Sequence, residues 1–252
     1  MKKIIKITTS IICCIALLVT CVSWSNPQSV QGANTPSKKI TIAIDPGHQQ
    51  VSDLRQEAID PDNKALGTKY KVTGGCTSAY NKMSEYRYNL IIATLLKKNL
   101  EKRGYDVFMT RSKHKVNVSN QTRAKRVNAS GAKLCIRLHC DSINGSASGI
   151  STLYKPSTNS YYSKEDRDRS KVFAKYMLES CTKETGLKSR GIVGRNDLTA
   201  QNWSKIPVAL IEMGFFSNYS EAKKMDTTKF KNQMVSGIGN AVDKYVDRYI
   251  TK

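Results

Sequence analysis

From Ile40 onward the chain alternates short apolar runs with longer segments whose apolar residues recur every three or four positions. Short apolar runs bounded by turn residues read as strands, and the longer period reads as amphipathic helix. Ile40 to Ile44 is the first predicted strand. Ser84 can cap a helix that reaches Arg103, with Tyr88, Ile91, Ile92, Leu95, Leu96 and Leu100 on one face and Gly104 placed to end it. Tyr105 to Thr110 is the next strand, Ser119 opens a helix that ends near Gly131, and strands follow at Leu134 to Leu138 and Gly149 to Tyr154. Glu165 to Glu184 reads as a helix that turns Val172, Phe173, Tyr176, Met177 and Cys181 inward, with Ser163 and Asp166 forming a capping box. Ile206 to Ile211 is a strand, and Phe230 to Ile250 is a final helix carrying Met234, Val235, Ile238, Val242, Val246 and Tyr249. Strands separated by helices predict an α/β fold: one domain with a largely parallel or mixed twisted sheet flanked by helices.

Two stretches break this rhythm. Residues 49–82 are polar, hold Pro61, Gly67, Gly74 and Gly75, and read as a loop. A loop of that length inside a compact domain is functional or mobile, and it is a candidate wall for an open groove. At the other break, Lys2, Lys3 and Lys6 precede the apolar run from Ile11 to Val22, the pattern of an export signal. Cleavage after Gly32 is one outcome; lipid attachment at Cys21 and retention of Ile4 to Trp24 as a membrane anchor are the others. All three export the remainder, to an extracellular or wall-associated location. The organisation expected is therefore an export segment at 1–32, a linker at 33–39 and one domain at 40–252.

Charge narrows the partners. Among 252 residues, 41 Lys and Arg stand against 20 Asp and Glu, a net charge of +21. Loss of residues 1–32 removes three lysines and no acid, which leaves +18. Such a surface attracts polyanions: nucleic acid, anionic lipid or the acidic polymers of a cell wall. No helix-turn-helix, zinc-finger spacing or RNA-binding aromatic signature favours nucleic acid. The four cysteines beyond the export segment, Cys76, Cys135, Cys140 and Cys181, read as free thiols, mostly buried, because Cys135 and Cys140 flank a strand end and Cys181 lies on a helix's apolar side.

Four polar residues sit where strands end or a helix begins. His48 lies four residues beyond the strand ending at Ile44, His139 follows the strand ending at Leu138, Glu212 follows the strand ending at Ile211, and Glu85 opens a helix. In an open α/β sheet the carboxyl ends of parallel strands border the ligand crevice. Two imidazoles and two carboxylates suit zinc, with three residues as ligands, one coordination position open and one acid left to move protons. The separations of 37, 54 and 73 residues match no local motif, so only the fold can assemble such a site. Read singly, each residue is equally compatible with a hydrogen-bonded surface group. His114, between Lys113 and Lys115, is left outside this set because neighbouring positive charge opposes metal binding.

Asp45-Pro46-Gly47-His48, Glu85 ahead of Asn89-Leu90, Ile136-Arg137-Leu138-His139, and the run from Ile211-Glu212 to Ser217-Asn218 resemble the ordered motifs of the zinc-dependent N-acetylmuramoyl-L-alanine amidases of bacterial cell walls. Arg103-Gly104-Tyr105-Asp106-Val107, Thr110-Arg111 and Arg123-Ala124 with Asn128 extend the resemblance across residues 40 to about 248. It implies one zinc held by His48, Glu85 and His139, Glu212 as catalytic acid and base, and peptidoglycan cut between N-acetylmuramic acid and L-alanine. Two departures stand out: Gln49-Gln50 replaces the family's pair of glycines, and Cys140-Asp141 follows the second histidine, with the Cys140 thiol expected to point into the core. Arg195 and Asn196 are candidate substrate-binding residues, since the planar fork of Arg195 suits a stem-peptide carboxylate. Trp203 reads as packing rather than a sugar platform. The partners expected are peptidoglycan and anionic wall polymers, with a monomeric chain. Two other readings stay open: a zinc peptidase acting on wall peptides, and a noncatalytic basic binding protein, which would need none of the four residues.

Overall fold

The computed structural model describes residues 39–251. Its elements run β1 (Thr41–Pro46), β2 (Asp53–Ala58), β3 (Thr68–Val72), α1 (Glu85–Lys102), β4 (Asp106–Met109), α2 (Asn120–Ala129) and β5 (Leu134–Asp141). They continue with β6 (Ile150–Tyr154), α3 (Lys164–Thr185), β7 (Ser189–Gly194), α4 (Thr199–Asn202), β8 (Val208–Phe215), α5 (Tyr219–Met225) and α6 (Thr228–Tyr249). Six strands form one sheet in the order β4-β1-β5-β8-β6-β7, parallel except where β6 runs antiparallel to β8. The α/β fold with a mixed sheet flanked by helices is thus as expected from the sequence. No helix among the described residues is long and apolar enough to cross a membrane. The export segment and most of the linker lie outside the described residues.

The sheet's two faces are unequal, and strand alternation makes them so. Ile42, Ile44, Ile136, Leu138, Cys140, Ala209, Ile211 and Met213 belong to the large core built with α1, α3 and α6. Intervening residues face the other way, where Ala43, Cys135 and Val208 meet a smaller cluster around Val127, on α2, and Tyr162. Asp45, Arg137, His139, Leu210 and Glu212 share the parity of this second face. Polar side chains therefore collect on the thinly covered side of the sheet.

Three expectations need correction. β5 and β8 do not stop at Leu138 and Ile211 but continue to Asp141 and Phe215, so His139 and Glu212 lie inside strands. Residues 49–82 are not a structureless loop, because β2 and β3 pair as an antiparallel hairpin. Its strands escape a hydrophobic reading since the only buried residues of β2 are Asp53 and Glu57, and of β3 only Val72. Ser84 occupies the N-cap position of α1 without a side-chain cap bond, whereas the Ser163–Asp166 capping box of α3 is fully formed. Gly104, at φ 93°, follows α1 directly. The four cysteines within the described residues are free, with Cys135, Cys140 and Cys181 buried.

The hairpin is tied down through its far end. Lys155 and Asp60 form a buried ion pair at 2.8 Å, the Trp203 indole donates to Ala58 O, and Asn202 Nδ2 donates to Ile59 O. Trp203 thus serves packing.

Candidate metal and catalytic site

β1 delivers His48 through a tight turn. His48 takes a left-handed backbone, φ 59°, which costs a residue with a Cβ about 1–3 kcal/mol and needs support. Support comes from buried arginines. Arg111 donates to the carbonyls of Pro46, Gly47 and Tyr86, and Arg123 donates to those of Pro46 and His48. Asp45 anchors the arrangement, with one oxygen 2.8 Å from Arg123 Nη1 and the other 2.9 Å from Arg137 Nε. Burial alone would raise the Asp45 pKa, but Arg123 and Arg137 hold it far below the usual carboxylate range. Gln49, one of the two departures from the family pattern, is fully buried: its amide accepts from Val118 N and Arg123 and donates to Val51 O.

The second atom of the site's logic is a tautomer. His48 Nδ1 lies 3.1 Å from the Thr73 carbonyl, which can only accept, so the neutral ring keeps its proton on Nδ1 and leaves the lone pair on Nε2. That lone pair faces Glu85 Oε1 at 3.3 Å. His139 Nδ1 stands 3.2 Å from the same oxygen. Glu85 is itself fixed, accepting from Cys76 N at 3.0 Å, Cys140 N at 3.0 Å and Asn89 Nδ2 at 3.2 Å. Burial opposes its ionisation, yet the neighbouring His48 and His139 rings bring its pKa well below the normal value. The His139 pKa drops to about 4, chiefly through burial, so its ring is neutral.

One donor atom each from His48, Glu85 and His139 lies within 4.8 Å of the others. A bare imidazole nitrogen opposite a carboxylate oxygen is repulsive unless a cation sits between them, so the donor set fits a divalent metal. Two nitrogens and one oxygen suit zinc. Glycines give the group room. A Cβ on Gly47 would collide with the His139 ring, and one on Gly75, at φ +80°, would fall 2.5 Å from Glu85 Oε2 and 2.9 Å from the His48 ring. The sequence offers no sign that Thr73, Gly75 and Cys76 border the site beyond the Gly74-Gly75 pair.

Glu212 completes the group from the neighbouring strand, as the register partner of His139. Its Oε2 is buried without a partner among the described residues. Burial first, then the charges of Glu85 and Asp141, push its pKa well above the normal value, against a weaker pull from Arg137 and Arg195. The carboxyl is therefore a more ready proton acceptor than an ordinary glutamate. It faces a cleft of about 310 Å³ shared with His48, His139 and Arg137, walled by Lys69 and Tyr70 of β3.

The family model for N-acetylmuramoyl-L-alanine amidase matches residues 42–244. The chain belongs to this amidase family. A germination-specific N-acetylmuramoyl-L-alanine amidase of Bacillus subtilis is 28% identical over 239 residues, 88% of this chain and 86% of that protein. The uncharacterized YqiI protein of Bacillus subtilis is 24% identical over 169 residues, 67% of this chain and 77% of its own. Among solved structures, an N-acetylmuramoyl-L-alanine amidase from Clostridium difficile 630 superposes with a TM-score of 0.68 at 26% identity, covering 84% of this chain and all of that one. The Ami1 amidase of Mycobacterium smegmatis, at 20% identity and a TM-score of 0.74 over 83% of this chain and 97% of its own, shares the fold.

The amidase's remaining candidates are engaged with their own neighbours. Arg195 turns its fork onto Asp197, in bonds of 2.7 and 2.6 Å, and Asn196 Oδ1 accepts from Ser157 N and Oγ. Neither lines the cleft. Cys140 is buried in the main core, its sulfur 3.7 Å from Asn89 Oδ1. His114 packs edge-on against Tyr86, apart from the donor group.

Proposed function

We propose that this amidase is an exported, zinc-dependent enzyme that hydrolyses the amide between the lactyl group of N-acetylmuramic acid and L-alanine in peptidoglycan. The observation that carries the reading is the convergence of His48, Glu85 and His139 on one point beside the carboxyl of Glu212. The three residues would hold the metal, and a bound zinc ion supplies Lewis-acid polarisation of a carbonyl.

Glu212 then moves protons. As carboxylate it takes a proton from the water that attacks the lactyl carbonyl; as acid it returns that proton to the alanine nitrogen when the C–N bond breaks. The products are a lactyl carboxylate and a peptide with a free N-terminal alanine. Asp45, Arg111 and Arg123 hold the turn that aims His48, and Thr73 holds the His48 tautomer. The N-terminal pattern supports export, and the net charge supports retention on anionic wall polymers.

A digest of purified peptidoglycan, with and without a chelator, tests bond and metal together. Mass spectrometry should show chelator-sensitive release of peptides beginning with alanine and an intact glycan. Glycan that still carries L-alanine after digestion would instead mark a wall peptidase.

A further inference from the structure

Three buried arginines crowd the turn before His48, and they differ in how their donors are satisfied. Arg111 and Arg123 direct their guanidinium groups to backbone carbonyls, Asp45 and Gln49. Arg137, only 5% exposed, makes a single hydrogen bond among the described residues, from Nε to Asp45 Oδ2. Its Nη atoms make no hydrogen bond among the described residues. The space that Arg137 lines is the cleft holding His139 and Glu212.

Charge points the same way. Asp45 is one carboxylate shared by two guanidinium groups, so within that cluster one positive charge is left over, and the other carboxyl near Arg137 is that of Glu212 in the same cleft. Uncompensated buried charge is costly, and an anion in the cleft would offset it. Lys69 adds to the attraction: it lines the same cleft, and its Nζ donates to Asp197 O at 2.9 Å with two protons to spare. Arg195 contributes little, being paired with Asp197.

We infer that Arg137, flanked by Lys69, is a carboxylate-binding subsite that reads the residue following alanine in the stem peptide. This rests on the amidase reading of the adjacent site. Arg137 precedes His139 by two residues on β5, about 7 Å along the strand. Two residue lengths of extended peptide, also about 7 Å, carry a chain from the alanine nitrogen to the carboxyl group of the next residue. A stem whose second residue is glutamate linked through its side-chain carboxyl presents a free α-carboxylate there. The planar fork of Arg137 can take that group with two parallel bonds, which a carboxamide cannot reciprocate.

The test uses the full-length, zinc-loaded protein and two synthetic muramoyl peptides that differ only in carboxylate or carboxamide at that position. The wild type should show kcat/KM at least about tenfold higher for the carboxylate, the scale of a charge-assisted bidentate contact. Arg137→Met should abolish the preference by lowering kcat/KM for the carboxylate alone. Calorimetry of the alanyl-γ-glutamate product on the metal-free chain gives a readout independent of turnover, and binding should weaken about tenfold in Arg137→Met and by less in Lys69→Gln. Should Arg137→Met fail to fold, Arg137→Lys keeps a charge opposite Asp45 and removes the fork. Equal wild-type kcat/KM for both peptides, or an equal loss on both in the variant, would overturn the subsite. If the wild type cleaves neither peptide, the amidase reading fails, and the calorimetric arm still decides whether the pocket binds carboxylate.

Discussion

His139 and Glu212 face each other as register partners on the adjacent parallel strands β5 and β8. The fixed spacing of about 4.8 Å between neighbouring strands therefore sets the distance from the proposed metal ligand to the proton carrier, without any loop in between. A pair built into a sheet is rigid, and the proposed roles separate cleanly into two mutational classes.

Glu212→Gln should keep fold and metal but lose turnover by about 10²–10⁴-fold, the usual contribution of a positioned acid and base. His48→Ala and His139→Ala should lose the metal itself. Zinc content by elemental analysis, measured beside peptidoglycan hydrolysis, distinguishes the classes; wall-digesting activity retained in Glu212→Gln would sink the mechanism.

Gly75→Ala should damage the site from outside the donor set. Its Cβ would press on Glu85 and His48 in a backbone conformation that disfavours alanine. Zinc affinity is expected to fall about 10–100-fold, as when residues behind metal ligands are altered. Titration against a competing chelator reads this directly, and unchanged affinity would show that the turn can relax.

Asp45→Asn should destabilise the protein in a pH-dependent way. The folded-state pKa of Asp45 lies far below its unfolded value, so its contribution is present above about pH 4 and fades as pH falls further. At pH 7 the loss should be about 3–5 kcal/mol, because Arg123 and Arg137 lose their shared counter-charge. Urea unfolding of metal-free protein from pH 7 to pH 3 should show the gap to wild type narrowing; a constant gap would assign Asp45 no such role.

Retention on the wall should depend on salt. Exposed charges are screened beyond about 3 Å at molar ionic strength, so a protein held through its net positive charge should wash from purified walls there. Binding that survives molar salt would point to the N-terminal segment as the anchor.

The legibility of this chain follows from which signals are local. Helices α1, α3 and α6 and the hearts of β1, β5 and β8 were readable because apolar periodicity reports burial within a few residues. The same criterion placed the ends of β5 and β8 too early, since these strands continue through His139, Asp141 and Glu212, whose polarity serves the site. The β2–β3 hairpin was hidden because it buries acids and a single valine, and its stability comes from contacts such as Lys155–Asp60 that join residues 95 positions apart.

By itself the sequence determined the fold class and offered His48, Glu85, His139 and Glu212 as candidates in the order in which the chain presents them. Only the tertiary structure decided that three of them meet, that Thr73 lies against His48 Nδ1, and that Arg137 lines the cleft while Arg195 pairs with Asp197. Residue type and periodicity are properties of neighbours along the chain. Which donors remain unsatisfied is a property of neighbours in space, and it exists only once the sheet has closed.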